Sequence, residues 1–162
     1  MSVDLTFEIG DWIVHNYYGV GQIKRIEKKP IHGEKVKTFR VQTKDSVYWV
    51  PVKKKENPRI RRVVNRRKLR RALRILTSKP EGMAKNYRTR QKRINEVFED
   101  GTIRESMKLL RDLYALGEIK KLNNTENQAV DKLEQRLTRE YAACYEVSIQ
   151  DARKKLREKY LK

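Results

Sequence analysis

The chain has 162 residues, enough for one ordinary domain or two small ones, and 38% of them are apolar, so its cores are modest. Its formal charge of +19 points to nucleic acid or another acidic surface as partner. A single cysteine, Cys144, excludes a disulfide framework and a cysteine-based zinc site, and reads as a small buried hydrophobe in a reducing compartment.

The first 52 residues read as β structure. Short runs rich in β-branched and aromatic residues lie at Ile13-Val14, Val20–Ile26, Thr38–Thr43 and Ser46–Val52. Turn formers separate them at Gly10-Asp11, Asn16, Gly19, Gly21, Gly33 and Lys44-Asp45-Ser46. Several short strands without a helix-length pattern predict a small barrel or a half-open sheet. Pro51 closes the last strand because it cannot donate to a ladder. Tyr48 and Trp49 fall on opposite faces of that strand, so one of them faces solvent. Either Trp49 packs inside with Tyr48 outward, or the reverse.

Between Lys53 and Arg93 the chain carries eighteen lysines and arginines against only Glu56 and Glu81. Such a run repels itself unless a polyanion or solvent screens it. Beyond Asn57-Pro58 the pattern becomes helical. Leu69, Ala72, Leu73 and Leu76 recur at i, i+3, i+4 and i+7, one face of a helix that Asn65 can cap. Arginines cover the other face. The segment reads as a basic amphipathic element carrying phosphate contacts, with a solvated helix face or a membrane-surface helix as alternatives.

The loop Thr77–Gly82 leads to a second helix over Lys85–Phe98, with Tyr87, Ile94, Val97 and Phe98 as inner positions, ended by Asp100-Gly101. Thr102 with Glu105 forms a capping box for a third helix that buries Ile103, Met107, Leu110, Leu113 and Tyr114 and stops at Gly117. Asn124 or Thr125 opens a fourth helix with Val130, Leu133, Leu137, Tyr141, Cys144 and Tyr145 inward. Ser148 with Asp151 caps a last helix built on Ile149, Ala152, Leu156 and Tyr160. The fold class is therefore α+β in two domains, a small β domain over residues 1–64 and a helical bundle over 65–162.

Catalytic chemistry finds little support. His15 and His32 lie beside turns and read as surface histidines rather than ligands, and no metal spacing occurs. Gly19-Val20-Gly21 lacks the Lys-Ser/Thr of a phosphate loop. Carboxylates alternate with Lys and Arg, as in Glu134–Arg136–Arg139–Glu140, the pattern of solvated ion pairs. No enzyme, metal or cofactor is expected. The N-terminus shows no signal peptide, and no apolar run is long enough to span a bilayer, so a cytoplasmic protein is expected.

The motif Phe7-Glu8-Ile9-Gly10-Asp11-Trp12-Ile13-Val14 followed by Tyr18-Gly19-Val20-Gly21-Gln22-Ile23 resembles the opening of the CarD/CdnL family of bacterial transcription regulators. The polymerase-binding module of transcription-repair coupling factors shares that opening. Tyr48–Val52 with Arg59-Ile60-Arg61 resembles the end of the family's first domain. Asn86–Arg93, Leu109–Tyr114 and Val147–Ala152 fit its helical half. The resemblance implies a Tudor-like small β-barrel that binds the RNA polymerase β subunit, with Lys28, Lys29 and Trp49 in or near the contact. It also implies a helical domain that touches promoter DNA at the upstream edge of the transcription bubble through Lys85, Asn86, Tyr87, Arg88, Arg90, Lys92 and Arg93.

In the family a tryptophan wedges into the minor groove there and slows bubble collapse; the matching position here is Tyr87. Spacing alone also allows Tyr87 as a core residue, seven positions before Ile94. Trp49 is a second departure, standing where the family can carry a basic residue. The expected protein is a monomeric regulator that stabilises the open promoter complex without reading bases. An RNA- or ribosome-associated basic protein, or a polymerase adaptor that does not touch DNA, would share much of this composition.

Overall fold

The computed structural model describes residues 7–53 and 59–162. The expected change of character at Asn57-Pro58, and Lys54 and Lys55 of the basic run, lie outside them. The chain divides between Val63 and Val64 into two units.

The first unit is a five-stranded antiparallel sheet of the Tudor-like kind. Its strands are β1 (Trp12–His15), β2 (Gly19–Ile31), β3 (Glu34–Gln42), β4 (Val47–Pro51) and β5 (Ile60–Arg62), in the order β4-β3-β2-β1-β5. Alternation along these strands buries Phe7, Ile13, Ile23, Phe39, Val41, Tyr48 and Val50 as one core. Gly21 is required there, because a Cβ would sit 2.6 Å from Val41 Cγ1 on the neighbouring strand and 3.0 Å from the Gln42 carbonyl oxygen.

Two elements differ from the sequence reading. The β2–β3 hairpin runs on to Ile31 and Glu34, well beyond Ile26 and Thr38. His32 and Gly33 both take positive φ, 51° and 84°, the two-residue turn whose twist matches its strands. The extension is mostly charged and half-buried or exposed, so no apolar alternation betrays it. β5, which pairs Ile60–Arg62 with Ile13–His15, is the other difference. Three residues reading Ile-Arg-Arg carry too little pattern for a strand, and here register with β1 decides.

Tyr48 is the inward aromatic and Trp49 the outward one, at 5% and 41% exposure. The Tyr48 ring stacks on Tyr18 at 4.7 Å and meets His15 edge-on at 5.4 Å. Its hydroxyl is buried without a hydrogen-bond partner among the described residues, and burial pushes its pKa well up. An unmade bond of this kind is costly. Tyr48→Phe is therefore expected to raise the stability of this unit by about 1 kcal/mol, and a lower chemical-denaturation midpoint would refute that account.

The second unit contains α1 (Arg66–Leu76), α2 (Tyr87–Asp100), α3 (Ile103–Ile119), α4 (Asn124–Tyr145) and α5 (Ile149–Lys159). Its core joins Leu69, Leu73 and Leu76 of α1 to Ile94 and Val97 of α2, Leu109, Leu110 and Leu113 of α3, Leu133 and Leu137 of α4 and Leu156 of α5. Asn65, Thr102 and Ser148 cap their helices as expected, but the Thr102–Glu105 capping box does not close, because the Thr102 amide donates to Asp100 Oδ2 at 3.2 Å; Gly101 ends α2 in the left-handed conformation at φ 70°.

Two boundaries shift. α2 starts at Tyr87 rather than Lys85, because Asn86 takes the cap with its side chain accepting from the Arg88 and Thr89 amides. α3 passes through Gly117 to Ile119, where Lys120 turns extended. α4 opens at Asn124, one of the two expected residues, with Asn123 as its cap: the Asn123 side chain accepts from Glu126 N, while the Glu126 carboxylate accepts from Asn123 N.

Candidate functional surfaces

On the outer face of the sheet, Trp49 lies beside Glu27 and Lys29 of β2. Its indole Nε1 donates to Glu27 Oε2 at 3.0 Å, and Lys29 Nζ stands 4.4 Å from the ring centroid. Arg25 pairs with Glu27 from the same strand. The indole bond is the main reason the Glu27 carboxyl sits below its usual range, with Arg25, Lys29 and Arg40 adding to it against the opposing effect of burial. The result is an exposed flat aromatic framed by cations, an arrangement suited to anchoring in a partner pocket. Lys29 and Trp49 thus come together. Lys28 does not join them: it is the next residue along β2 and points to the opposite face.

In the second unit, Tyr87 is the first residue of α2 and is 52% exposed, so it is not a core residue. Lys85, Asn86, Arg88 and Lys92, its neighbours along the chain, are exposed as well. No acidic residue occupies the first turn of α2, which leaves the positive end of the helix dipole uncompensated. Asn86 accepts from Arg88 N at 2.8 Å and Thr89 N at 3.3 Å, so its side chain is committed to the cap. Lys92 makes a long, solvated ion pair with Glu96 at 3.9 Å.

Arg90 and Arg93 take other roles. Arg90 is 5% exposed. Its Nε donates to Glu126 Oε2 at 3.2 Å, and its Nη1 donates to the carbonyls of Ala84 at 3.2 Å and Lys85 at 2.8 Å. Its guanidinium therefore cannot reach a phosphate without breaking a buried pair. Arg93 donates from Nη2 to Asp112 at 2.8 Å and from Nη1 to the Gly82 carbonyl at 3.3 Å.

Asp112 is fully buried on α3 and also accepts from Glu81 N at 3.0 Å and Arg111 Nε at 2.9 Å. Burial alone would push its carboxyl up, but the bonds from Arg111, Arg93 and the Glu81 amide outweigh it and hold the group below the usual range. Arg111 also reaches Ser78 Oγ at 3.0 Å. The irregular segment from Ser78 to Asn86 is thus pinned at five residues, Ser78, Glu81, Gly82, Ala84 and Lys85, from below. Tyr87 is presented on a fixed mount.

Sequence reading did not find Arg111, Asp112 or Glu126. In a chain with 38% charged residues, each looks like one more surface charge. A readable signal existed for Glu126, since Asn123-Asn124-Thr125-Glu126 has the spacing of a capping box. Among the described residues there is no cluster of His, Cys, Asp and Glu that could hold a metal, and no helix long and apolar enough to cross a membrane.

The first unit is thus a Tudor-like sheet with an outward aromatic–cation patch, and the second a basic helical unit presenting an aromatic at a helix start. The CarD-like/TRCF RID domain model matches residues 7–64, and the CarD C-terminal domain model matches residues 71–157. The chain belongs to the CarD family of transcription regulators. It is similar to a Bacillus subtilis (strain 168) protein named "Putative transcription factor YdeB". The two are 28% identical over 127 residues, which covers 77% of this chain and 83% of that relative.

Proposed function

We propose that this transcription regulator joins the RNA polymerase β subunit to promoter DNA and stabilises the open promoter complex. The outer face of the sheet, centred on Trp49 and Lys29, is the polymerase surface; Lys28, on the opposite face of β2, is left out of it. The start of α2, with Lys85, Asn86, Tyr87, Arg88 and Lys92, meets DNA at the upstream edge of the bubble. Arg90 and Arg93 hold that surface in place. The observation that carries the reading is Tyr87: a half-exposed aromatic at a helix start, among bases, on a segment fixed by buried ion pairs.

The physical logic is bivalency. A basic helical unit alone binds duplex through phosphates, weakly and without sequence preference. Attachment to polymerase raises its local concentration at one place on the promoter. An amphipathic wedge in the minor groove then favours the distorted, opened duplex over the closed one. No base readout is needed, because polymerase supplies the address. The protein works in the cytoplasm, on the nucleoid, as a monomer.

The test is capture of purified RNA polymerase by the full chain and by the variant carrying Lys29→Glu and Trp49→Ala. Both side chains lie outside the sheet core, so the variant keeps its fold. Polymerase affinity is expected to fall by about 2 kcal/mol or more, on the order of 30-fold. Undiminished capture would remove this face from the interface. Capture that persists in a chain unable to bind DNA at any salt concentration would favour a pure adaptor.

A further inference from the structure

We infer that the solvent face of α1 is a second duplex-binding surface, separate from the α2 surface, which grips DNA phosphates without reading sequence. The inference rests on the reading that the helical unit binds DNA and adds a contact that reading does not contain. Arg66, Arg67, Lys68, Arg70, Arg71 and Arg74 are all exposed, and α1 contains no acidic residue. Arg66 lies 4.9 Å from the Tyr145 ring. None of the other five has a carboxylate within ion-pair distance among the described residues.

This arrangement works against the helix that carries it. Three basic pairs stand at i,i+4 (66/70, 67/71, 70/74) and three at i,i+3 (67/70, 68/71, 71/74), and like charges at these spacings destabilise a helix. Arg66, Arg67 and Lys68 also crowd the positive end of the dipole, where an acid would be favourable. Packing holds α1 in place regardless, since Leu69, Ala72, Leu73 and Leu76 are each 6% exposed or less. A local rule broken this thoroughly, with the cost met by the core, marks a surface shaped for a ligand.

The ligand is an array of phosphates. Five of the six cations are arginines, whose planar forks grip phosphate oxygens two at a time. From Arg66 to Arg74 the row is about 12 Å long on a rigid helix, and B-DNA carries one charge per about 1.7 Å of axis. A bilayer suits it poorly, because a membrane-surface helix needs a free apolar face and that of α1 is buried.

The test compares the full chain with two sets of variants on a duplex of arbitrary sequence, by anisotropy over a range of salt. The first set is Arg67→Gln, Arg70→Gln, Arg71→Gln and Arg74→Gln together. The second is Lys85→Gln, Arg88→Gln and Lys92→Gln. The α1 set is expected to flatten the log–log salt slope by about three to four, near 0.9 per lost phosphate contact, with its melting temperature unchanged or raised. The matching Arg→Lys set is expected to keep most of the slope. An unchanged slope in the α1 set beside a flattened one in the α2 set overturns this inference and leaves the proposed function standing. Silence in both sets refutes DNA binding by this unit altogether. A melt lowered by the Gln set and not by the pair Arg67→Gln and Arg71→Gln still leaves that pair to decide, by about two units of slope. Stronger binding to a structured RNA hairpin, or to phosphatidylserine vesicles at equal phosphate, would overturn the duplex assignment.

Discussion

Glu126→Ala is expected to cost the helical unit about 3–5 kcal/mol, because it strands the Arg90 guanidinium in a buried site. Glu126 is 1% exposed and does two jobs at once. Its Oε2 receives Arg90 Nε at 3.2 Å, and its Oε1 closes the α4 capping box on Asn123 N at 3.3 Å. A helical unit of this size shifts in melting temperature by roughly 4–8 °C per kcal/mol, so the loss is easily read by thermal unfolding. The double variant Arg90→Met with Glu126→Leu separates charge from packing. Replacing both members of a buried pair with apolar residues is often neutral or stabilising, so stability is expected to return with it. DNA binding should not return, because the Ala84 and Lys85 carbonyls still lack their donor and the mount of Tyr87 loosens. Recovery of both properties would reduce the pair to packing alone; recovery of neither would mean that the capping bond, not the charge, dominates.

The same residues explain what the sequence could and could not disclose. Apolar periodicity survives translation into structure, so Leu69, Leu73, Leu76, Ile94, Val97, Met107, Leu110, Leu133 and Leu156 were all legible as core. The local caps Asn65 and Ser148 were equally plain. Burial of charge was not. Arg90, Arg111, Asp112 and Glu126 are internal only because each meets a partner from another element, and pairings across 19 to 36 residues leave no local period. The two aromatic questions show the same limit. Strand alternation established that one of Tyr48 and Trp49 faces out, yet which one depends on the register of β4 against β3, where Val50 opposes Phe39 and Trp49 opposes Arg40. Helical spacing put Tyr87 in line with Ile94. It could not show that a residue at the first position of α2 stands beyond the edge of the core.

Tyr87→Ala is expected to shorten the lifetime of the open promoter complex while leaving the protein's melt nearly unchanged. An exposed side chain at a helix start has little packing to lose, so the change in folding stability should stay within about 0.5 kcal/mol. Polymerase capture should be unaffected, since that contact is assigned to the sheet. The lifetime should fall by the lost stacking, about 1–3 kcal/mol per base contact, or roughly 5-fold to 150-fold. Tyr87→Trp enlarges the flat surface without demanding room inside the core and is expected to lengthen the lifetime. Tyr87→Phe keeps the ring and removes the polar tip, so it divides wedge area from hydrogen bonding: a lifetime near that of the unaltered chain assigns the effect to stacking. The decisive comparison is bubble lifetime against melting temperature across the three variants. A melt that falls steeply in Tyr87→Ala would return the ring to the core. Equal lifetimes for Ala, Tyr and Trp with equal melts would leave the DNA contact to lysines and arginines alone and end the wedge mechanism for this chain.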